Sequence, residues 1–341
     1  MQNDPSMEEW LRLYEVATEF KKLKTWEWMY DSDVFGVQNP EDGEIGYCCI
    51  MGNLKEVFAL AVYQGSEGLA GLEKIMSGHT RENDPDIGYT QKCLMASFED
   101  RDYLQKADLE LIKKLGLKFR GRNEWPRFRS FLPGYFPWFL TRKEALFLTH
   151  ALEQAIDVSL RFKEDKTLLT TEVKGKYMVR VPEKIEDIIL WEDRWVSPPQ
   201  AEPGTKSDDR VDELRLRRLK GRAVRSKAVW EIELTFSPTP VGDKDERPYF
   251  PQMLLIMDHT SKMALDFNLF VISDDLSEIR DHILGFMEKI NLLPDEILIR
   301  KEVTHRLIKP IASLLKIHVK TVKELPAIKE FHRGMAEFMG R

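Results

Sequence analysis

Residues 214–227 (LRLRRLKGRAVRSK) hold seven cations and no acid. Cations at that density can lie along phosphates, drawing them in by charge and losing them to salt. The side chains that would make the contact are Arg215, Arg217, Arg218, Arg222 and Arg225. They must face solvent to do so, and the nucleic-acid contact expected of 214–227 is weak and salt-dependent. The competing reading is a helix docked on an acidic neighbour, because Leu216, Leu219 and Ala223 would share one side of it. No aromatic residue is interleaved, which speaks against single strands.

Two further stretches carry chemistry on paper. Gly65-Ser66-Glu67-Gly68-Leu69-Ala70-Gly71 follows a strand-like run and opens a helix-like one, where phosphates are often cradled. Its spacing is neither a Walker motif nor a dinucleotide fingerprint, and Glu67 would repel an anion there. A tight turn capped by Ser66 is the expectation. Residues 125–140 (WPRFRSFLPGYFPWFL) pack seven aromatics with three prolines. They could line a groove for an extended peptide or a base, but a strand and loop filling the core beneath the next helix is the simpler reading.

Other chemistries find no footing. The seven histidines show no His-Glu-x-x-His spacing, and no Gly-x-Ser-x-Gly occurs. Cys48, Cys49 and Cys93 lie in apolar runs, where inert buried thiols are expected, and none neighbours a histidine in a catalytic arrangement. No metal set and no cofactor motif stands out. A net charge of −6 gives no overall attraction to nucleic acid or to an anionic membrane surface. No apolar run is long enough to cross a bilayer. Residues 1–5 lack a basic-then-apolar pattern, so the protein is read as cytoplasmic, with its partner left open.

These residues must be positioned by regular elements. In the closing third, residues 229–236 (VWEIELTF) alternate as a half-buried strand does, with Glu231, Glu233 and Thr235 on one side. Residues 253–257 (MLLIM) read as a strand covered on both faces, 258–262 as a turn, and 263–272 as a third strand. A helix capped by Ser273 or Asp274 follows on Leu276, Ile279, Ile283 and Met287, closed by Pro294. Then come a short strand at 296–299, a helix on Leu307, Ile308 and Ile311, a strand at 317–322, and a helix at 327–339.

Three strands, then helix, strand, helix, strand, helix, resembles the integrase and transposase branch of the ribonuclease H-like superfamily. Trp230-Glu231-Ile232-Glu233-Leu234-Thr235 is similar to its first-strand motif Trp-x-x-Asp-x-Thr, with Glu233 in the place of the metal-binding aspartate. The resemblance implies a five-stranded mixed sheet with flanking helices and carboxylates gathered around divalent metal. The chain departs from that pattern after the fourth strand, where Arg300 and Lys301 stand in place of an aspartate. Cations there would repel the metals that in-line phosphoryl transfer uses. The function expected is therefore a non-enzymatic binding or scaffold protein on a catalytically degenerate module. The alternative is a metal-dependent nucleic-acid-processing enzyme with a displaced set, Glu233 with Glu302 or Glu330.

The first half opens with an amphipathic helix. It then reads three strands, helix, strand, helix, strand and helix, the same βββαβαβα order, so the N-terminal lobe is a candidate copy of the second. A strand pair with a turn at Lys174-Gly175-Lys176 follows, at 168–181 and 187–196. The fold class is thus α/β (α+β) in two lobes. The domains are 1–196 (core 24–162, strand pair 168–196) and 214–341. A proline- and glycine-rich linker at 197–213 separates them. On Gly52, Val62, Tyr63, Gly65, Gly68 and residues 255–267, the whole chain also resembles a family of uncharacterised bacterial two-module proteins. Both of its modules are domains of unknown function, so this second resemblance implies no reaction.

Overall fold

The computed structural model describes residues 4–78, 86–171, 173, 175–186, 188–199, 211–243 and 246–339. The chain divides into two compact units, Met1–Ala201 and Glu202–Arg341.

The first unit begins with α1 (Met7–Leu23). Ser6 and Glu9 close its start reciprocally: Ser6 Oγ accepts from the Glu9 N–H at 3.2 Å, and the Glu9 carboxylate accepts from the Ser6 N–H at 2.7 Å. There follow β1 (Phe35–Gln38), β2 (Ile45–Met51), β3 (Phe58–Gln64), α2 (Gly65–Met76), β4 (Cys93–Glu99) and α3 (Lys106–Lys114). The unit ends with β5 (Trp125–Phe131), α4 (Arg142–Glu164), β6 (Tyr177–Ile185) and β7 (Ile188–Val196). The seven strands make one sheet in the order β5-β4-β3-β2-β1-β6-β7, antiparallel throughout except where β6 runs parallel to β1.

Both faces of the central strands are covered, which is why β2 and β3 are apolar on both sides. Cys48, Ile50, Leu60 and Val62 meet α1 and α4, while Tyr47, Cys49, Ala61 and Tyr63 meet Leu69 and Leu72 of α2. The Thr141 capping box is present, the Glu144 carboxylate accepting from the Thr141 N–H at 2.7 Å. Phe128 of the aromatic run lies in the core, and Trp125 packs against it. A buried ion pair, Arg129 with Asp108 at 2.6 and 2.9 Å, ties β5 to the first turn of α3. All three thiols are free and buried, and burial pushes Cys49 and Cys93 up to about 12.

The order of elements along this half matches the expected βββαβαβα, but the weave does not copy the second unit. Here β4 returns antiparallel beside β3, whereas the fourth strand of the second sheet joins the first strand in parallel. Element order does not specify which open edge a returning strand joins. Two local expectations also need correction. Ser66 does not cap α2, which starts on Gly65 with a left-handed φ of 63° behind Gln64. The strand expected from residue 168 starts at Tyr177, because Leu168 and Leu169 pack on the core instead. At the turn expected at 174–176, ahead of β6, the Lys176 N–H donates to the Val173 carbonyl at 3.4 Å and Gly175 has φ 76°, while Lys174 lies outside the described residues. β6 and β7 pair as far as Ile185 opposite Ile188, with Glu186 at φ 54°. The expected linker 197–213 lies mostly outside the described residues.

The second unit runs α5 (Glu213–Arg222), β8 (Val224–Arg225), β9 (Val229–Phe236), β10 (Gln252–Asp258), β11 (Ala264–Phe270) and α6 (Ser277–Ile290). It closes with β12 (Leu292–Leu293), β13 (Glu296–Ile299), α7 (Glu302–Leu315), β14 (His318–Thr321) and α8 (Pro326–Met339). Its main sheet has the order β11-β10-β9-β13-β14. The first three strands are mutually antiparallel, and β13 and β14 run parallel to β9. This is the ribonuclease H-like five-stranded mixed sheet. Trp230, Ile232 and Leu234 face a core built with α5, α6 and α7. The opposite face carries Met253, Leu255 and Leu298 against Ala327 and Ile328 of α8. Because α8 lands there, β9 is buried on both sides rather than on one. Neither Ser273 nor Asp274 caps α6; its N-cap is Leu276, preceded by the turn in which Asp275 Oδ1 accepts from the Ser277 N–H at 2.9 Å.

Gly68 shows how tightly α2 sits on the first sheet. A Cβ there would stand 2.6 Å from the Lys92 carbonyl oxygen and 2.8 Å from the Tyr63 carbonyl carbon, both backbone. Gly68→Ala is expected to lower the urea midpoint, by an amount equivalent to about 1–2 kcal/mol of stability, overpacking outweighing the helix propensity gained. Gly71→Ala, whose new methyl would meet only the flexible end of Gln91 at 3.2 Å, should leave the midpoint roughly unchanged.

Candidate functional site

Strand period places Glu231 and Glu233 on the same side of β9, under α8. Glu231 is fully buried. Its Oε2 accepts from the N–H groups of Ala327 at 2.9 Å and Ile328 at 3.1 Å, and its Oε1 lies 2.5 Å from His259 Nδ1. Those two amides belong to the first turn of α8, which opens on Pro326, a residue with no N–H to satisfy. Glu231 thus does from a neighbouring strand what an N-cap side chain does locally: it answers the free donors and the positive end of the helix.

Glu233 is answered differently. Arg300, just after β13, donates from Nε at 3.2 Å and Nη2 at 2.9 Å to Glu233 Oε1. Lys301 Nζ lies 3.7 Å from the same oxygen, and His332 Nε2 of α8 lies 3.4 Å from Oε2. Burial alone would raise this carboxyl. The bond to His332 and the charges of Lys301 and Arg300 override burial and hold it down to about 2. The cations that follow the fourth strand therefore point inward and are spent on this one acid.

The other acids do not converge on it. Glu302 is the first residue of α7, and its side chain is 82% exposed beside His305 at 3.6 Å. Glu330 pairs with Lys262 at 2.8 Å. Among the described residues, no group of three or more His, Cys, Asp or Glu side chains is placed to hold a metal ion. Glu231, His259 and His332 were not singled out from sequence. The alternation of β9 was a signal for Glu231, but a polar face on a strand ordinarily turns to water.

The arginines of 214–227 are mostly engaged by their own unit. Arg215 forms a two-pronged pair with Glu288 at 3.0 and 2.8 Å and reaches Asp281 at 3.3 Å. Arg217 pairs with Glu213 one turn back at 3.1 Å. Arg225 and Lys220 donate to carbonyls at the end of α7: Lys316 and Leu315 for Arg225, and Leu314 for Lys220. Cations at a helix C-terminus oppose its dipole, so these contacts hold α5 and β8 in place. Arg218 and Arg222 remain exposed.

The Gly65–Gly71 segment meets the side of β3 and β4 rather than a cavity. Lys92 Nζ lies 3.7 Å from Glu44 and 3.6 Å from Glu67, so the helix start already faces two carboxylates against one ammonium.

Glu233→Gln leaves Arg300 and Lys301 partly buried without a counter-charge, and should cost about 3 kcal/mol in chemical denaturation. The parent protein should also show an acid limb. The folded carboxyl titrates near 2 and the free one near 4.5. The stabilisation from its charge is therefore complete above about pH 4.5 and lost as pH falls toward 2. The difference in stability between parent and Glu233→Gln, measured across pH 2 to 6, should shrink toward the acid end.

Residues 10–180 match the family described as a domain of unknown function (DUF7309), and residues 215–336 match a second, also a domain of unknown function (DUF6930). No curated protein matches the chain. Among solved structures, the catalytic core domain of BIV integrase is similar to 32% of this chain over 66% of its own, just under two thirds, at 10% identity and a TM-score of 0.24. The fold assignment of the second unit rests on its own strand order. With its match spanning half of the residues, the chain belongs to the DUF7309 family and carries a DUF6930 domain behind that module.

Proposed function

We propose that the protein is a non-enzymatic binding or scaffold protein, its second unit a ribonuclease H-like module whose acidic centre serves packing. The observation that supports this reading is the environment of Glu233. A carboxylate that must receive divalent metal needs free lone pairs and a neighbouring acid. This one has a guanidinium, an ammonium and an imidazole around it. A metal would have to displace Arg300 and Lys301 against their charge. Glu231, the nearest acid in sequence, holds the start of α8 and would release that helix if it turned to an ion. The alternative enzyme reading through Glu233 and Glu302 asks an exposed side chain on α7 to swing to a buried, neutralised one.

The test is thermal melting with and without Mg²⁺ or Mn²⁺. An ion held at a hundredfold excess over its Kd adds about 2.7 kcal/mol to stability, enough to move Tm by degrees. The expected result is no shift with either ion and no cleavage of single- or double-stranded DNA or RNA. A Mn²⁺-dependent rise in Tm that Glu233→Gln removes would overturn the reading.

A further inference from the structure

The first unit carries a cationic surface that the pairing of 214–227 throws into relief. α3 and the segment after it, 115–125, wall a cleft of about 880 Å³. Its rim holds Arg101, Lys106, Lys113, Lys118 and Arg120, against the single acid Glu110. Its floor is apolar, from Leu109 and Leu117 to the rings of Phe119 and Trp125, which lie 5.9 Å apart. Phe119 stacks on Tyr14 at 6.0 Å, and the Arg101 guanidinium of the rim sits 5.9 Å from the Trp125 ring.

The same segment then turns into a second cleft, of about 550 Å³. Lys118 and Arg120 line the first, and Arg122 and Asn123 line the second. Lys21, Lys24 and Lys55 complete the second rim, above Trp26 and Phe58 packed at 5.0 Å. Two acids, Glu27 and Glu124, also line this cleft, and Glu124 is matched to Lys21. Lys24, Lys55 and Asn123 all hold left-handed backbone, with φ of 53°, 61° and 54°. Glycine would occupy such corners with less strain, yet polar side chains able to reach an anion stand at three of them around one cleft.

What separates this surface from α5 is that only part of its charge is consumed: Lys21 pairs with Glu124, Lys106 with Glu110 at 3.8 Å and Arg122 with Asp100 at 3.6 Å. Lys24, Lys55, Lys113, Lys118 and Arg120 have no carboxylate partner among the described residues, in a chain whose net charge is −6. We infer that the two clefts form a binding surface for single-stranded nucleic acid, phosphates on the lysine and arginine rims and bases in the apolar floors. Concavity favours a strand over a duplex, whose bases are stacked away and whose phosphates lie on a convex surface. Apolar side chains at the floor, beneath the cations, are the reverse of the protruding apolar face that a bilayer surface needs. The inference concerns the first unit alone and stands or falls separately from the empty-centre reading of the second.

The test is fluorescence anisotropy of the full chain with a labelled mixed-sequence strand of about twelve nucleotides, as DNA and as RNA. Binding should weaken by about tenfold or more between about 50 and 200 mM salt. Lys118→Glu with Arg120→Glu, both exposed, should reduce affinity at least about tenfold and flatten the salt slope, with the melting curve unchanged. Phe119→Leu keeps the floor apolar but removes a ring, and should cost about fivefold without altering the slope. Arg218→Glu with Arg222→Glu in the second unit should leave binding as it was. Equal affinity for a duplex of the same length would overturn the inference. So would displacement of the strand by polyglutamate of equal charge, or indifference to Phe119→Leu. Loss of binding in the Arg218/Arg222 variant but not in the Lys118/Arg120 variant would overturn it as well.

Discussion

Two carboxylates one strand-period apart, both under a helix, set the terms for the second unit. An ion moved from water into a protein interior costs several kcal/mol unless something replaces its hydration. Glu231 obtains that replacement from backbone amides, and Glu233 from side-chain cations. The two solutions fix different neighbours. The first decides where α8 begins, since its opening amides must reach β9. The second decides how β13 ends, since Arg300 and Lys301 must turn in toward the sheet. Remove the acids and there is no reason for a cationic strand end or for a helix to start over the middle of the sheet.

The same accounting explains why two basic stretches of one chain differ so much. In α5 and β8 each cation near the core finds a carboxylate or the carbonyl end of α7, and the stretch becomes a clasp around its own unit. Along 101–125 the cations rise from turns and from the outer side of α3, where no acid is within reach to quench most of them. Density of charge in sequence is therefore a poor guide to charge available at the surface. What counts is whether the element beneath brings acids along with it.

Much of the second unit was legible because its connections are short and its periods clean: VWEIELTF, MLLIM and EILI became β9, β10 and β13 with boundaries shifted by a residue or so. The inward turn of Arg300 could be reasoned from its place after β13. The first unit was legible as elements and not as a sheet. The partner of β4 depends on which edge α2 leaves open, a tertiary matter that no local pattern encodes. Glu231 was missed because alternation distinguishes two faces without saying which is wet. Phe119 lies in the segment after α3 and Trp125 at the start of β5, so their joint floor became visible only when the segment between them was folded.

The cysteines have a use that follows from where they lie. Cys48 and Cys49 sit in β2 and Cys93 in β4, the two strands that flank β3, while the second unit contains none. Their thiolates, the reactive form, are suppressed by burial. Alkylation thus needs the first sheet to open, and its rate clocks that opening alone, with the ribonuclease H-like half silent to the reagent. One chain carries, without any engineering, a covalent reporter for the breathing of half of itself.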